Sequence, residues 1–222
     1  PETRQKPFGR WACASAASEG RSVTTTNDSV ATVKRAMVTG AAGFIGSHLT
    51  ERLLVDGYEV YAFDIAPLDE ARNLAAVADH PALHYTQGDI TDPESVRNFY
   101  RADADVLFHL ASVVGIKNYV EDPLGLVDVV VLGTRYILEL VAQHQTRLVF
   151  TSTSEVFGKN PAVPWDEGAD RVLGPTSVHR WSYSSSKAVC EHMVYGAAER
   201  YGIPFTIIRP FNVYGPRQNP IF

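Results

Sequence analysis

Residues 39–46 read TGAAGFIG, and this stretch decides the fold. It stands between a predicted β-strand over residues 35–39 and a predicted amphipathic helix over residues 44–55. The stretch contains three evenly spaced glycines, Gly40, Gly43 and Gly46. Glycines in such a turn permit a sharp bend, a close approach of the backbone to a pyrophosphate, and tight packing of helix on strand. The helix N-terminus would then face the anion, so the pattern predicts a dinucleotide-binding turn.

Short β-branched runs and helical periods alternate after this turn, which is the pattern of stacked βαβ units. The predicted strands cover residues 35–39, 59–63, 82–86, 106–110, 148–151 and 205–209. The main predicted helices cover residues 44–55, 125–144 and 182–201, and another starts at Asp92-Pro93. The chain is therefore predicted to form an α/β fold, a Rossmann-type doubly wound parallel sheet with ligands at the carboxyl ends of the strands.

The two ends of the chain differ from this central region. Residues 1–34 are rich in Ser, Thr and Ala without a sustained period, and we expect a disordered leader; a targeting peptide is an alternative that its acidic residues disfavour. Residues 35–222 are predicted to form one dinucleotide-binding domain. The chain stops shortly after a strand and a turn, without a closing element, which suggests a fragment.

Composition narrows the choice of partner. The 222 residues carry 25 acidic and 20 basic side chains, and a net charge of -5 disfavours nucleic acid and anionic membranes. A small molecule is the predicted partner. Cys13 and Cys190 are too far apart to suggest a metal site or disulfide framework, and the seven histidines lack metal-binding spacing. We therefore predict a cytoplasmic protein without a metal.

Acidic residues follow the second and third predicted strands. Asp64 stands 24 residues after Gly40, where a carboxylate can accept hydrogen bonds from a ribose diol and would repel a 2′-phosphate. NAD is therefore favoured over NADP. Asp89 and Ile90 end the third strand, where they could contact the adenine. A helix-capping Asp and a core Ile remain the alternatives for these two residues.

Tyr183 and Lys187 are four residues apart on a predicted helix and therefore share one face. An ammonium group, together with the positive ring of an oxidised nicotinamide, favours the phenolate of a nearby tyrosine. Tyr183 could then take a proton from a substrate hydroxyl while hydride leaves the carbon. The same spacing also occurs in helices without any catalytic role.

From about Arg35 to its end, the chain resembles the extended short-chain dehydrogenase/reductase family. The order of the glycine turn, the acid after the second strand, a hydroxyl-rich strand end and Y-x-x-x-K carries this resemblance. Within the family it is similar to the nucleotide-sugar epimerases, dehydratases and decarboxylases. The matching stretches are TGAAGFIGSHL, GDITD, FHLAS, STSEVFG, YSSSK and RPFNVYGPRQ.

The resemblance implies roles for individual residues. Thr153 would complete a catalytic triad with Tyr183 and Lys187, and Asn212 would contact the nucleotide sugar together with Thr153. The implied cofactor-binding residues are Gly40, Gly43, Phe44, Ile45, Gly46, Asp64, Asp89, Ile90, Leu110, Ala111, Ser112, Tyr183, Lys187 and Pro210. One departure is Val130, which stands where many members carry the Asn of N-x-x-G-T, so any role of that Asn is lost or moved. The resemblance also implies a homodimer and a C-terminal substrate domain, before which this chain would be truncated.

The shared first step in such enzymes would be oxidation of C4 of a UDP-sugar by NAD. The 4,6-dehydratases read T-D-E where this chain reads Thr153-Ser154-Glu155, and serine is a poor substitute for an acid. The T-S-E reading, with Arg180-Trp181 before Tyr183, resembles UDP-glucuronate decarboxylases, but epimerase relatives share STSE. Decarboxylation and 4-epimerisation therefore both remain open, with Glu155 assigned to C5 or carboxylate chemistry. A 4,6-dehydratase and a non-catalytic NAD-binding protein are the alternatives. Thr151 and Ser152 are interpreted as strand-end caps.

Overall fold

A computed structural model describes residues 33–219, except for the side chains of residues 116–118. The predicted leader over residues 1–34 lies outside the described residues, apart from Val33 and Lys34. Both of these residues are exposed, and the first strand begins directly after them.

Six parallel strands form one sheet. They are β1 (Arg35–Thr39), β2 (Glu59–Asp64), β3 (Leu83–Gln87), β4 (Val106–His109), β5 (Arg147–Thr151) and β6 (Phe205–Ile208). Their order across the sheet is β3-β2-β1-β4-β5-β6. The predicted doubly wound fold is confirmed, and each predicted strand end differs from the observed one by at most one residue. The order reverses between β1 and β4, which is where sheets of this kind bind ligands.

Six helices accompany these strands among the described residues. They are α1 (Phe44–Val55), α2 (Pro93–Phe99), α3 (Ile116–Glu121), α4 (Pro123–Val127), α5 (Gly133–His144) and α6 (Ser182–Tyr201). Asp92 caps α2, as its position before a proline predicts, because its carboxylate accepts from the Glu94 amide at 3.0 Å. The sequence pattern did not predict α3, which is too short to show a clear period.

The predicted single helix over residues 125–144 is wrong in its continuity. A wider π-helical turn, Asp128–Leu132, separates α4 from α5. The Thr134 hydroxyl donates to the Val130 carbonyl at 2.6 Å, and the Cys190 thiol donates to the same oxygen at 3.3 Å. These two side chains thus satisfy the Val130 carbonyl within the widened turn. Such turns are frequent at functional sites.

Two layers of helix cover the sheet, because successive strand residues point to opposite faces. On one face, Ala36 and Val38 of β1 pack in a cluster with Leu53 and Leu54 of α1. On the other face, Met37 packs in a larger cluster with residues of the remaining strands and helices, including Leu107, Phe150, Ile137 and Val194. Both faces are thus covered. The cleft lies at the carboxyl ends of the strands.

No helix in the described range is long and apolar enough to cross a membrane. The same residues contain no cluster of three or more His, Cys, Asp or Glu side chains arranged to hold a metal ion.

Candidate active site

The glycine turn lies at the carboxyl end of β1. Gly40 has a φ of +71°, and a Cβ added to it would stand 2.8 Å from the Ala111 nitrogen. A Cβ on Gly46 would stand 2.0 Å from the Gly40 carbonyl oxygen. Neither position has room for a side chain. Gly43 precedes the first helical residue without a side-chain cap, so the amides at the start of α1 are left for an anion.

Asp64 fastens the glycine turn to the end of β2. One carboxylate oxygen accepts from the Ala42 amide at 2.9 Å and the other from the Ala66 amide at 3.2 Å. Asn73 donates its side-chain amide to the Ala42 carbonyl at 3.1 Å. A carboxylate oxygen can accept more than one hydrogen bond, so Asp64 retains capacity for a ribose diol beside the turn.

Asp89 and Ile90 follow β3 and line the same cleft. The Asp89 carboxylate accepts from both the amide and the hydroxyl of Thr91 at 2.8 Å, so it caps a local turn, while Asp92 caps the helix. Ile90 is buried, and a Cβ on Gly133 would stand 2.8 Å from its Cγ1. Ile90 is therefore a core residue, whereas Asp89 fixes a local turn and does not cap the helix; both residues also line the cleft.

Thr153, Ser154 and Glu155 leave the end of β5 and line the cleft. The Thr153 hydroxyl oxygen accepts from the Glu155 amide at 3.2 Å, which fixes the turn after the strand. The Glu155 carboxylate forms an ion pair with Arg180. The Ser154 amide donates to the Pro210 carbonyl at 3.0 Å, so the chain after β6 is joined to this turn.

Tyr183 and Lys187 project from α6 into the same cleft and are both buried. The Tyr183 ring stacks on Tyr119, with ring centres 4.9 Å apart and an interplanar angle of 8°. The Lys187 ammonium donates to the Thr151 carbonyl at 2.9 Å and lies 5.9 Å from the centre of the Tyr183 ring. The predicted pair is thus brought together with Thr153 at one place.

The protonation of this pair is governed mainly by burial. Burial and the neighbouring Tyr119 raise the pKa of Tyr183 well above its ordinary value, and the Ser112 hydroxyl opposes them. Burial lowers the pKa of Lys187 to about 8. The expected lowering of the Tyr183 pKa is therefore not achieved by Lys187 alone. The phenolate needs a further positive charge.

The interpretation of Ser152 as a backbone cap is wrong. Its hydroxyl is hydrogen-bonded to the Glu191 carboxylate, and Arg209 forms a bidentate ion pair with the same carboxylate at 2.9 and 2.6 Å. This network joins β5, α6 and the end of β6. Thr151 caps nothing among the described residues, because its buried hydroxyl has no hydrogen-bond partner there.

Sequence reasoning missed three features of the site. The sequence identifies Arg180 only as part of R-W-x-Y-S, and no sequence pattern indicates that it pairs with Glu155. Tyr119 lies in a short helix without a period. The Glu191 and Arg209 pair joins residues that are 18 positions apart, on different elements. The only sequence signal for this pair was that Glu191, an acidic residue, falls on the buried side of α6.

One continuous cleft of about 1630 Å³ contains these residues. Pockets for single drug-sized ligands have roughly 300–1000 Å³, so this cleft has room for a dinucleotide together with a second ligand. Besides the groups described above, it is lined by Phe44, Ile45, Leu110, Ala111, Ser112, Pro210 and Asn212. All the predicted cofactor and substrate residues thus face one space. The tight glycine turn, the open α1 amides and Asp64 fit the phosphates and ribose of a dinucleotide.

The fold and the cleft define a Rossmann-type dinucleotide-binding domain. The model of the NAD dependent epimerase/dehydratase family matches residues 36–221. The chain belongs to this family, so the predicted resemblance is confirmed and NAD is the cofactor of the family.

Three relatives show what the chain is similar to. It is 38% identical over 185 residues to the UDP-N-acetyl-alpha-D-glucosaminuronate decarboxylase of Bacillus cytotoxicus, covering 83% of the chain and 56% of the relative. It superposes on the PbgP3 protein of Burkholderia pseudomallei with a TM-score of 0.77 and 30% identity, covering 85% and 56%. The UDP-glucose 4-epimerase of Thermus thermophilus, in complex with NAD, gives a TM-score of 0.70 and 34% identity, covering 84% and 58%. The chain thus spans little more than half of each relative's length.

Proposed function

We propose that the chain provides the NAD-binding and proton-transfer half of an enzyme that oxidises C4 of a UDP-sugar uronate and releases its carboxylate as carbon dioxide. The observation that carries this proposal is that Thr153, Tyr183 and Lys187 line one cleft with the glycine turn. A protein that only bound NAD would not need these three side chains together.

The residues divide the work along the cleft. The turn from Gly40 to Gly46 and Asp64 would hold the phosphates and the ribose. Bound NAD would supply a positive ring near Tyr183 and, as an oxidant, the acceptor for the hydride of C4. Tyr183 would take the proton of the C4 hydroxyl, and Thr153 would hold that hydroxyl by a hydrogen bond. The Lys187 ammonium, fixed on the Thr151 carbonyl, would stabilise the phenolate.

Decarboxylation follows from the ketone at C4. The bond from C5 to the carboxyl carbon breaks, its electron pair moves to the C4 oxygen as an enolate, and carbon dioxide leaves. A proton from water then adds at C5, hydride returns to C4, and Tyr183 gives its proton back to the C4 oxygen. Glu155, which lines the cleft and is held by its ion pair with Arg180, would be the group available for chemistry at C5 or at the sugar carboxylate. The Bacillus cytotoxicus relative, a decarboxylase of a UDP-sugar uronate, supports this reading.

The second candidate is 4-epimerisation, which uses the same first step and returns hydride to the other face of the sugar. The 34% identity to the Thermus thermophilus 4-epimerase favours it. Dehydration is the weaker alternative, because Ser154 cannot easily act as the acid that assists loss of a hydroxyl. Four earlier expectations stay predictions: a role of Asn212 in sugar binding, a truncated domain over residues 35–222, a homodimer, and a cytoplasmic location.

The experiment is to incubate the chain, alone and joined to the region by which its relatives exceed it, with NAD and either UDP-glucuronate or UDP-N-acetylglucosaminuronate. We expect NAD binding by both proteins, and efficient turnover only by the longer one. NMR of the product distinguishes a UDP-pentose, which supports decarboxylation, from a 4-epimer. If neither uronate reacts while a neutral UDP-hexose does, the decarboxylase assignment is wrong.

A further inference from the structure

One face of the Tyr183 ring packs against the ring of Tyr119. Tyr119 belongs to α3 and is only 3% exposed. The two rings are almost parallel, with an interplanar angle of 8° and centres 4.9 Å apart, and both residues line the cleft. Stacked aromatic rings at this separation attract each other beyond the effect of burial alone. The Tyr119 ring therefore occupies the space into which the side chain of Tyr183 would otherwise tilt.

Tyr119 is held at both of its ends by one residue, Gly115. The Gly115 amide donates to the Tyr119 hydroxyl oxygen at 3.2 Å, and the Tyr119 amide donates to the Gly115 carbonyl at 3.4 Å. Gly115 has a φ of +113°, a conformation that favours glycine. The backbone and the hydroxyl of Tyr119 are thus both fixed, and with them the direction of the ring between them.

The helix that carries Tyr119 also contacts the start of the helix that carries Tyr183. α3 packs against the short 3₁₀ helix His179–Trp181, which leads directly into α6. Tyr183 is the second residue of α6. The two stacked rings therefore extend from elements whose backbones already meet, so the stack has a fixed support on both sides.

We propose that Tyr119 is a positioning residue, whose ring holds the phenol of Tyr183 where it takes the proton of the C4 hydroxyl. The stacked ring acts on Tyr183, and the Tyr119 hydroxyl serves to anchor that ring on Gly115. Proton transfer needs the two oxygens within about 2.6–3.2 Å, and a misplacement of about 1 Å can cost about 10²-fold in rate. This inference rests on the proposed function, which assigns proton transfer to Tyr183.

The test compares Tyr119→Leu with Tyr119→Phe in the longer protein, using the UDP-sugar uronate that it turns over. We expect Tyr119→Leu to lower kcat by about 10- to 10²-fold with little change in KM, because Tyr183 is displaced and the defect lies in the reaction step. Tyr119→Phe keeps the ring and should retain most of the wild-type kcat. Tyr61→Leu is the matched control, since Tyr61 stacks on His84 with centres 4.7 Å apart and neither lines the cleft. It should leave kcat unchanged.

A double-mutant cycle shows whether Tyr119 acts through Tyr183. In Tyr183→Phe the proton-accepting group is already gone, so adding Tyr119→Leu should lower turnover by at most about a further twofold. An additional loss as large as in the wild-type background would mean that Tyr119 acts independently of Tyr183, and the proposal would be wrong. A loss in Tyr119→Phe equal to that in Tyr119→Leu would assign the effect to the hydroxyl and overturn the role of the stack.

Crystal structures of the chain and its variants separate this inference from the proposed function. We expect the Tyr183 hydroxyl to move by about 1 Å or more in Tyr119→Leu, or to take several positions, and to keep its place in Tyr119→Phe. An unmoved Tyr183 in Tyr119→Leu would overturn the inference whether or not a sugar reacts. If Tyr183 moves as expected but no UDP-sugar is turned over, the proposed function is wrong and the placement of Tyr183 by Tyr119 stands. Thermal unfolding detects a failure of Tyr119→Leu to fold, in which case Tyr119→Met carries the same expectations.

Discussion

The change Arg209→Met tests the ion pair that joins the ends of β5 and β6 to α6. Arg209 and Glu191 form two hydrogen bonds, at 2.9 and 2.6 Å, and the Glu191 side chain is only 7% exposed. The variant leaves a buried carboxylate with the Ser152 hydroxyl as its remaining partner in this network. Removing one member of a buried pair costs roughly 3–5 kcal/mol, and we expect the free energy of unfolding at neutral pH to fall by about that amount.

The pH dependence of this loss follows from the pKa of Glu191. Burial raises this pKa, but the hydrogen bonds from Arg209 and Ser152 lower it by more, and the net result is below the ordinary value of 4.5. In the wild-type chain the Arg209–Glu191 pair therefore stabilises the fold above the ordinary carboxyl pKa of 4.5. This stabilisation is lost as the pH falls through the lower pKa of Glu191 in the folded state. In Arg209→Met the effect of burial prevails, so the variant loses stability as pH rises through a raised pKa. The free energies of unfolding of the wild-type chain and the variant should therefore become more similar as the pH falls.

Urea denaturation, followed by circular dichroism at neutral pH and below pH 4.5, measures both effects. Arg52→Met, which breaks a surface ion pair with a 74% exposed arginine, is the control and should lower the free energy of unfolding far less than Arg209→Met does. Adding Glu191→Met to Arg209→Met removes the unpaired carboxylate and should recover part of the loss. The reasoning would be refuted if Arg209→Met lowers the free energy of unfolding at neutral pH by less than about 1 kcal/mol. It would also be refuted if this difference from wild type does not become smaller below pH 4.5.

Three further changes address the cofactor and the chemistry. Gly46→Ala should abolish NAD binding measured by calorimetry, because the new Cβ would stand 2.0 Å from the Gly40 carbonyl oxygen; binding at wild-type affinity would contradict this. In the longer protein, Tyr183→Phe should lower turnover about 10²–10⁴-fold while NAD remains bound, and turnover near the wild-type rate would remove Tyr183 from proton transfer. Lys187, with a pKa of about 8 against an ordinary 10.5, makes the cofactor-free fold more stable as pH rises between these values. Lys187→Met should lack that rise in urea denaturation, and the same rise in both proteins would show that another group causes it.

The sheet and the glycine turn could be predicted because their signals are local. Most strands are short apolar runs bounded by polar residues, and each predicted strand end is correct to within one residue. The three glycines follow from steric limits that any dinucleotide turn imposes, as the short contacts at Gly40 and Gly46 show. Asp64 could be placed because the end of β2 adjoins β1 in a parallel sheet.

The partners of polar side chains could not be predicted, because they depend on which elements meet in space. Ser152 looks like a strand-end cap in one dimension, but Glu191 of α6 is its partner. Arg180 and Glu155 are 25 positions apart, and an irregular segment separates them. The sequence contains both charges and no indication that they meet. Their pairing needs the packing of α6 against the turn after β5.

Val130, which stands where many family members carry Asn, contributes to the π-helical turn through its backbone carbonyl. The π-helical turn persists although Val130 has no polar side chain. Its carbonyl oxygen accepts from Thr134 and from Cys190, so the turn is fixed by donors outside residue 130. A residue without side-chain hydrogen bonds is therefore sufficient there, and apolar packing suits a fully buried position.

The same turn explains the histidine of FHLAS. The Thr39 hydroxyl oxygen accepts from two backbone amides, at 3.2 Å each, so its proton is directed to His109 Nδ1 at 2.8 Å. His109 must then carry its proton on Nε2 and donate to the Thr134 hydroxyl at 3.2 Å, which in turn donates to the Val130 carbonyl. Burial, together with Lys187, lowers the pKa of His109 to about 3, so the ring is neutral and can accept at one end and donate at the other. Only a neutral imidazole meets both demands at this spacing, so His109 is explained as a structural link between β1 and the turn before α5.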